Sequence, residues 1–535
     1  VIIMDYLSQY ARLLRVLFIV IPYWSLVALG ISLLAYYAFE GGPLTWLLMA
    51  AFGLLVMVLA LGLARLFSAT PSAYGKATFA GLADLRQAGL FKRGPIIGKA
   101  KGRHLRFDQP GHLLTFAPTR SGKGVGAVIP NLLDHPGSVV VTDIKGENHA
   151  ITRAYRETLG QVIAFAPFDP TLSGDGYNPL DFIRTFTPNE VDDARMIAEM
   201  LVAPDGKEAN HWEREARTLL TGLLLHVALE RKAQERNLHR VRALLMRDRS
   251  GFEAVIDAMA QSPHIVISTI GRGFSQKEDK ERGAVISTAQ SRLEPFDSPL
   301  LQAATNHSSF KMEDLKRETL SLFIIIPPEY VAVYQPVLRL MVGLATAAMT
   351  REAKRPKHPV LFLLDELPAL GHMRPIEDGI GYLAGYGAIL WLFVQDLDQL
   401  QKTYVKWRSM IANCAVRQAF NVQDTQTAEL LSGMLGQRTV RTRSGSRSGR
   451  FPWLWMATNF NETVAETGRP LLSPAEIMLL PENQMLVFVQ GCKPILAEKL
   501  RYFSDRYFRK RFDATVSNND DSADHGVSAA VPQIQ

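Results

Sequence analysis

Cysteine is scarce in this sequence: Cys414 and Cys492 are its only two among 535 residues, and they lie far apart. So small a number excludes a disulfide framework and a cysteine-rich metal site, and it fits a reducing compartment. No internal repeat is evident either. The length allows more than one hydrophobic core, so we expect two or three domains.

Acidic residues are outnumbered by basic ones, which gives a formal net charge of +7 and a pI of about 9.2. Such a balance favours contact with nucleic acid or with an anionic membrane surface and does not choose between them. The exception is the segment after Arg511, which contains four aspartates and no lysine or arginine. Residues 513–535 are therefore predicted to form a disordered acidic tail.

Charged residues are missing altogether from residues 16–39 and again from residues 44–64. Each run is long enough to cross the hydrocarbon core of a membrane as a helix, and the few residues between them allow only a tight turn. Basic residues flank the pair: Arg12, Arg15, Arg65 and Lys76. The positive-inside rule then places both termini in the cytoplasm. We predict a two-helix transmembrane hairpin at residues 1–70; a cleaved signal peptide or two buried core helices are the alternatives.

A glycine-rich segment lies between a predicted strand at residues 112–118 and a predicted helix at residues 127–133. Its candidate ligand-binding residues are Thr119, Arg120, Ser121, Gly122, Lys123, Gly124 and Val125. A strand, a glycine-rich loop, a lysine and a helix in this order predict a phosphate-binding loop. The backbone N–H groups and the helix N-terminus face one phosphate, and Lys123 supplies a full charge to the β- and γ-phosphates.

This loop departs from the usual pattern at both ends. Ala117 stands where the first glycine is expected, and Gly124 replaces the serine or threonine whose hydroxyl binds magnesium. Magnesium must therefore be held in another way here. By pattern alone, a glycine-rich turn without a ligand is the alternative.

An acidic pair follows a second apolar run. The run ends at Leu364 and predicts a strand buried on both faces of a parallel sheet, and ligands bind at the carboxyl ends of such strands. Asp365 is the expected magnesium residue, and Glu366 is the expected base that polarises the attacking water. The alternative is that the pair caps the next helix.

Two more polar residues follow predicted strands. Asp143 ends the strand at residues 138–142, and Gln395 ends the strand at residues 388–394. Gln395 is a candidate sensor of the γ-phosphate, and Asp143 opens a loop toward the same face of the sheet. Helix capping or surface hydrogen bonding is the alternative for both.

Residues 181–315 show helical periodicity and few β-branched runs, which predicts an all-α domain inserted into the nucleotide-binding domain. The two parts of that domain are then residues 71–180 and 316–512. The predicted fold class is α/β, a RecA-like P-loop NTPase with a predominantly parallel sheet. Trp212 within the insertion is either a partner anchor or a core residue. The basic residues 441–450 read as a solvated loop or a DNA-contacting loop.

Seven segments in fixed order resemble the TraG family of type IV coupling proteins. They are APTRSGKGVG (117–126), VTDIKGEN (141–148), YNPL (177–180), LDELP (364–368), AGYG (384–387), QDLDQL (395–400) and GRPLL (468–472). The resemblance runs from the hairpin to about residue 508, and the unusual glycine at position 124 is usual in this family.

The resemblance implies a homohexameric ATPase, with ATP and Mg²⁺ as cofactors, that is embedded in the bacterial inner membrane as a multi-pass protein with its catalytic part in the cytoplasm. It implies delivery of cargo to a type IV secretion channel: in conjugation a relaxase joined to single-stranded DNA, in pathogens effector proteins. It also implies that the inserted helical domain takes part in substrate recognition.

The sequence departs from some relatives that carry an arginine just before the Gln395 strand, where it reaches the neighbouring subunit's nucleotide. Arg417 is our candidate for that role here, with a surface salt bridge as the alternative. Two rival functions are an FtsK-type double-stranded DNA translocase and a cargo receptor that does not hydrolyse nucleotide. The helical insertion and short hairpin argue against the first, and Lys123, Asp365 and Glu366 argue against the second.

Overall fold

The structure is a computed structural model. It describes residues 27, 30, 31, 33, 34, 73–172, 174–204, 209–229, 232–448, 459–509 and 511. The predicted hairpin, apart from five positions in its first span, and the predicted acidic tail lie outside these residues. No helix formed by the described residues is long and apolar enough to cross a bilayer.

Thirteen strands and seventeen helices are described. The strands are β1 (Ile96–Ala100), β2 (Arg103–Arg106), β3 (His112–Phe116), β4 (Val139–Thr142), β5 (Gln161–Phe165), β6 (Leu320–Ile324), β7 (Val360–Leu364), β8 (Ala388–Val394), β9 (Cys414–Phe420), β10 (Gln437–Ser448), β11 (Asn459–Pro470), β12 (Gln484–Val489) and β13 (Ile495–Glu498). The helices are α1 (Leu82–Gln87), α2 (Ile129–Leu132), α3 (Glu147–Glu157), α4 (Glu190–Leu201), α5 (His211–Ala228), α6 (Leu238–Leu245), α7 (Arg249–Ala260), α8 (Ile265–Ser275), α9 (Asp279–Leu293), α10 (Pro299–Thr305), α11 (Asp314–Arg317), α12 (Gln335–Arg351), α13 (Arg374–Gly379), α14 (Leu397–Thr403), α15 (Trp407–Asn413), α16 (Thr425–Leu435) and α17 (Pro474–Met478).

Eleven strands form one sheet in the order β2-β1-β13-β12-β9-β3-β8-β7-β4-β6-β5. The seven strands from β9 to β5 run parallel, and the four from β12 to β2 extend the sheet antiparallel. Apolar runs such as that of β7 suit a parallel sheet because both of its faces are covered. The predicted, predominantly parallel α/β sheet is therefore present.

The register of the parallel strands aligns their carboxyl ends. Phe116 pairs with Val394, and Leu364 pairs with both Leu392 and Thr142. The residues that follow β3, β4, β7 and β8 therefore emerge at the same edge of the sheet, which is where parallel sheets bind ligands.

Side chains of the parallel strands alternate between two cores, as the pleat of a strand requires. Leu114 and Phe362 face a core that also contains the buried side chains of α5 and α12. Leu113 and Leu361 face the opposite core, which includes side chains of β1 and β12. The sheet is thus covered on both faces, and the phosphate-loop strand β3 is buried along its whole length.

Helices α4 to α11 occupy the chain between β5 and β6, and no strand is described there. Their apolar side chains belong to the same core as one face of the sheet. Trp212, at the start of α5, is 41% exposed, so its interpretation as a core residue is wrong. The domain boundaries drawn from the sequence remain a prediction.

The chain divides into two compact units. One contains Val1–Gly75 with Arg441–Glu466, and the other contains Lys76–Val440 with Thr467–Gln535. Strands β10 and β11 form a two-stranded sheet, and within the first unit Arg441 Nε donates to Glu466 Oε1 at 2.9 Å. Residues 441–448 belong to strand β10, so the prediction of a loop is wrong there, while residues 449 and 450 lie outside the described residues. Contact of this segment with DNA remains a prediction.

Candidate nucleotide-binding site

The phosphate loop connects β3 to a short π-helical turn, Gly124–Val128, that runs into α2. Two residues of the loop have left-handed backbone conformations: Arg120, with φ of 62°, and Gly122, with φ of 85°. Only glycine adopts this conformation without strain, which explains Gly122. Thr119 and Arg120 are exposed, whereas Ser121 is buried and Val125 half-buried.

The loop lysine meets the acidic pair. Lys123 Nζ lies 2.7 Å from Asp365 Oδ1 and 3.1 Å from Glu366 Oε2. Gln395 Nε2 donates to Glu366 Oε1 at 2.8 Å. Four residues from three separate stretches of sequence therefore form one contiguous cluster at the carboxyl edge of the sheet.

The electrostatics of the cluster follow from burial and charge pairing. Burial alone lowers the pKa of Lys123, but the carboxylates of Asp365 and Glu366 outweigh it, so the net pKa is raised and the ammonium stays charged at neutral pH. Burial raises the pKa of Asp365 against the opposing effect of Lys123. A charged lysine beside carboxylates is ready to exchange partners when an anionic phosphate arrives.

Glu366 has an unusual backbone conformation. Its φ of 56° and ψ of 60° lie in the left-handed region, where a side chain with a Cβ is strained. Its side chain makes no capping hydrogen bond to the 3₁₀ turn that follows. The geometry therefore gives no support to helix capping by Glu366, and the carboxylate faces Lys123 and Gln395 instead.

Asp143 is hydrogen-bonded to the first turn of helix α3, which follows it in the chain. Its carboxylate accepts hydrogen bonds from His149 N at 2.8 Å and from Asn148 Nδ2 at 3.1 Å. Burial raises its pKa to about 6. Both oxygens are thus engaged at the start of α3, which is the hydrogen-bonding alternative expected from the sequence. A role of Asp143 in nucleotide binding remains a prediction.

The residues present fit a magnesium ion. The described residues contain no cluster of three or more His, Cys, Asp or Glu side chains that would bind a metal alone. Mg²⁺ needs none when one or two carboxylates and substrate phosphates hold it. Asp365 Oδ1 is buried and, apart from its ion pair with Lys123, has no hydrogen bond. Asp365 is therefore a suitable magnesium residue.

Comparison with known proteins agrees with a nucleotide-binding site at this position. A family model described as "Type IV secretory system Conjugative DNA transfer" matches residues 78–525. This chain belongs to that family. The conjugal transfer protein TraG of Escherichia coli is 34% identical over 444 residues, which cover 76% of this chain and 69% of TraG. The protein VirD4 of Agrobacterium fabrum is 30% identical over 460 residues, covering 83% and 68%.

Solved structures of the plasmid coupling protein TrwB have a similar fold. TrwB in complex with ADP and Mg²⁺ superposes with a TM-score of 0.61 at 17% identity, covering 81% of this chain and 96% of TrwB. An unbound form gives a TM-score of 0.61 at 16% identity, covering 80% and 94%. At such low identity the likeness concerns the fold alone, a RecA-like P-loop fold with a mostly parallel sheet.

Lys499 is a residue of this conjugative DNA transfer protein that the sequence reasoning missed. Its Nζ donates to the Ser121 carbonyl oxygen and to Asn421 Oδ1, both at 2.9 Å. Burial lowers the pKa of Lys499 to about 8. A Cβ added at Gly126 would lie 3.2 Å from the Leu500 oxygen, so this segment packs directly behind the phosphate loop. A lone lysine after a short strand carries no motif that would reveal it.

Arg417 lies within β9, where its Cα pairs with those of Leu114 and Phe488. The side chain is half-buried, and its Nε has no hydrogen-bond partner. Among the described residues, no hydrogen bond or ion pair joins Arg417 to the Lys123 cluster. Its action on a neighbouring subunit's nucleotide in this family member remains a prediction.

Proposed function

We propose that this chain is a coupling ATPase of the bacterial inner membrane, belonging to a type IV secretion or conjugation system. It uses ATP hydrolysis to recruit a relaxase–single-stranded DNA complex or effector proteins and to deliver them to the secretion channel. The observation that carries the proposal is the cluster of Lys123, Asp365, Glu366 and Gln395 at the carboxyl edge of the sheet. Membership of the conjugative DNA transfer family supports the cargo.

ATP with Mg²⁺ is the proposed cofactor pair, and when bound it supplies the phosphoryl group and neutralises the charge that develops on it. With the nucleotide bound, Lys123 would leave the two carboxylates for the β- and γ-phosphates. Asp365 would then be the residue that holds the metal. The complex of TrwB with ADP and Mg²⁺ supports this choice for a chain of similar fold.

Glu366 accepts a proton from the attacking water at the oxygen that now faces Lys123. Gln395 holds the other oxygen of that carboxylate by its 2.8 Å hydrogen bond, so the base is oriented before the water arrives. Such positioning of a general base contributes about 10²- to 10⁴-fold in rate. Gln395 is close enough to the same site to sense whether a γ-phosphate is present.

The finer organisation is proposed from the sequence. Residues 1–70 anchor the chain as a membrane hairpin with both termini in the cytoplasm, and residues 181–315 form an inserted domain that recognises cargo. Six copies assemble so that Arg417 completes a neighbour's site. Assembly at a membrane raises the local concentration of subunits, which favours an active site shared between them.

The test is cargo crosslinking and delivery in cells that carry the secretion system and lack their own copy of this chain. We compare the wild type with Lys123→Ala and with the control Lys402→Ala, which alters an exposed lysine of α14, outside residues 181–315. The wild type and the control deliver cargo, whereas Lys123→Ala enters the membrane and delivers none.

Two outcomes contradict the proposal. Delivery by Lys123→Ala at the wild-type level excludes an ATP-driven step and favours a receptor that does not hydrolyse nucleotide. Crosslinks to chromosomal double-stranded DNA alone, with neither relaxase nor effector, favour an FtsK-type translocase.

A further inference from the structure

A cavity lies at the opposite edge of the sheet from the Lys123 cluster. Its volume is about 780 Å³. Its lining includes the residues that directly precede three parallel strands: Gly111 before β3, Pro359 before β7 and Gly387 before β8. We call it the amino-edge cavity. It is therefore separate from the phosphate loop, which follows the carboxyl ends of the same strands.

The lining of the amino-edge cavity is strongly basic. Four exposed cations border it: Lys92, Arg93, Arg355 and Lys357. No carboxylate of the described residues forms an ion pair with any of the four. The acidic residues in the lining are Asp108 and Asp134. The cations therefore exceed the acids, and a concave surface of one sign concentrates counter-ions.

Asp134 does not offset this charge, because it is already shared between two guanidinium groups. Arg106 Nη1 lies 2.6 Å from one of its oxygens, and Arg511 Nη1 lies 3.0 Å from the other. The Tyr507 hydroxyl donates to Asp134 at 2.6 Å. This network fixes both arginines in place, so the base of the cavity is positive and ordered before a ligand arrives.

An aromatic ring belongs to the same network. The guanidinium of Arg511 lies 4.7 Å from the centre of the Tyr507 ring, and that of Arg106 lies 5.8 Å from it. Tyr507 is nevertheless 42% exposed. Cations that follow a groove, together with an exposed aromatic ring, are the combination that binds single-stranded nucleic acid without sequence preference.

We propose that the amino-edge cavity binds the phosphate backbone of single-stranded DNA. The site itself rests on the geometry above, and the choice of DNA over other polyanions rests on the proposed function. A lipid headgroup offers the same charge, but a bilayer presents a broad surface that does not enter a cavity of this size. The cavity therefore gives each subunit a contact with the DNA strand, at the edge of the sheet opposite the proposed ATP site.

The test measures binding of a fluorescently labelled oligothymidylate to the full-length chain by anisotropy over a range of salt concentrations. The variant is Lys92→Gln with Lys357→Gln, and the matched control is Lys101→Gln with Lys402→Gln, which removes the same charge from exposed lysines outside both the cavity and residues 181–315. Each lost phosphate contact flattens the slope of log K against log salt by about 0.7. We expect a slope flatter by about 1.4 for the variant and no change for the control.

A variant that keeps the wild-type slope overturns the proposal. A second arm uses vesicles of phosphatidylglycerol: a variant that loses vesicle binding and retains DNA binding identifies a membrane contact instead and also overturns it. Titration with a fluorescent ATP analogue separates this inference from the proposed function. The variant should bind the analogue as the wild type does, whereas failure of the wild type to bind it contradicts the ATPase and leaves the DNA result standing.

Discussion

Replacing Glu366 by glutamine separates the chemical step from nucleotide binding. The substituted amide has the size of the carboxylate, and its oxygen still accepts the hydrogen bond from Gln395, which is 2.8 Å long in the wild type. What it loses is the capacity to take a proton from water and the ion pair with Lys123 at 3.1 Å. The left-handed backbone at this position is as strained with glutamine as with glutamate, so the substitution does not change it.

The two losses have different magnitudes. Removing a general base slows hydrolysis by about 10²- to 10⁴-fold, which is about 3–5 kcal/mol of activation free energy. The ion pair is only partly buried, and such pairs contribute about 0–1 kcal/mol. Because Lys123 must leave Glu366 to reach a phosphate, losing the pair leaves nucleotide affinity unchanged or raises it by up to about fivefold.

The assay combines single-turnover hydrolysis of radiolabelled ATP with equilibrium binding of a fluorescent ATP analogue, both on the full-length chain. Glu278→Gln is the control, since Glu278 is exposed and makes no capping hydrogen bond. Hydrolysis within tenfold of the wild type would refute the role of Glu366 as base. Loss of analogue binding would show that Glu366 supports the fold of the site and not the chemistry.

Three further predictions concern the surroundings of the site. Gly122→Ala should destabilise the protein by about 1–2 kcal/mol, whereas Gly124→Ala should not. An added Cβ meets open space at both positions, but only Gly122 has a positive φ. Equal melting temperatures of the two variants would contradict this. Lys499→Met should weaken binding of a fluorescent ATP analogue, because the Ser121 carbonyl loses its charged donor. Unchanged affinity for the analogue would show that Lys499 contributes packing alone. In the folded state the pKa of Asp143 is about 6 against an ordinary value of 3.8, so its contribution to the free energy of unfolding falls by about 3 kcal/mol as pH rises between these values. In urea unfolding at pH 4 and pH 7, Asp143→Asn should not show this fall. A difference in stability between wild type and Asp143→Asn that is the same at both pH values would contradict it.

The residues of the site were predictable because their signals are local. A strand followed by a glycine-rich loop predicts Lys123, and an apolar run followed by two carboxylates predicts Asp365 and Glu366. Parallel strands place their carboxyl ends at one edge, so even the contact of Gln395 with Glu366 follows from two strand ends. Periodicity likewise predicts the helices between β5 and β6.

The contacts that the sequence did not reveal depend on strands that carry no motif. Lys499 reaches the Ser121 carbonyl because β12 and β13 extend the sheet antiparallel beside β9, and nothing near residue 499 indicates this. The sequence does not reveal the amino-edge cavity either, because its residues Lys92, Lys357 and Arg511 come from three distant segments. The sequence also does not reveal that both oxygens of Asp143 accept hydrogen bonds from Asn148 and His149.

The most direct test of the proposed ATPase site is magnesium-dependent ATP hydrolysis by the purified full-length chain and by Lys123→Ala, with Lys280→Ala as the matched control. Lys123 is the charged contact that we propose for the β- and γ-phosphates, and in the structure its ammonium lies against both carboxylates of the acidic pair. We expect turnover by the wild type and the control, and none above background by Lys123→Ala. Equal turnover by all three would contradict the assignment of this cluster as the ATPase site.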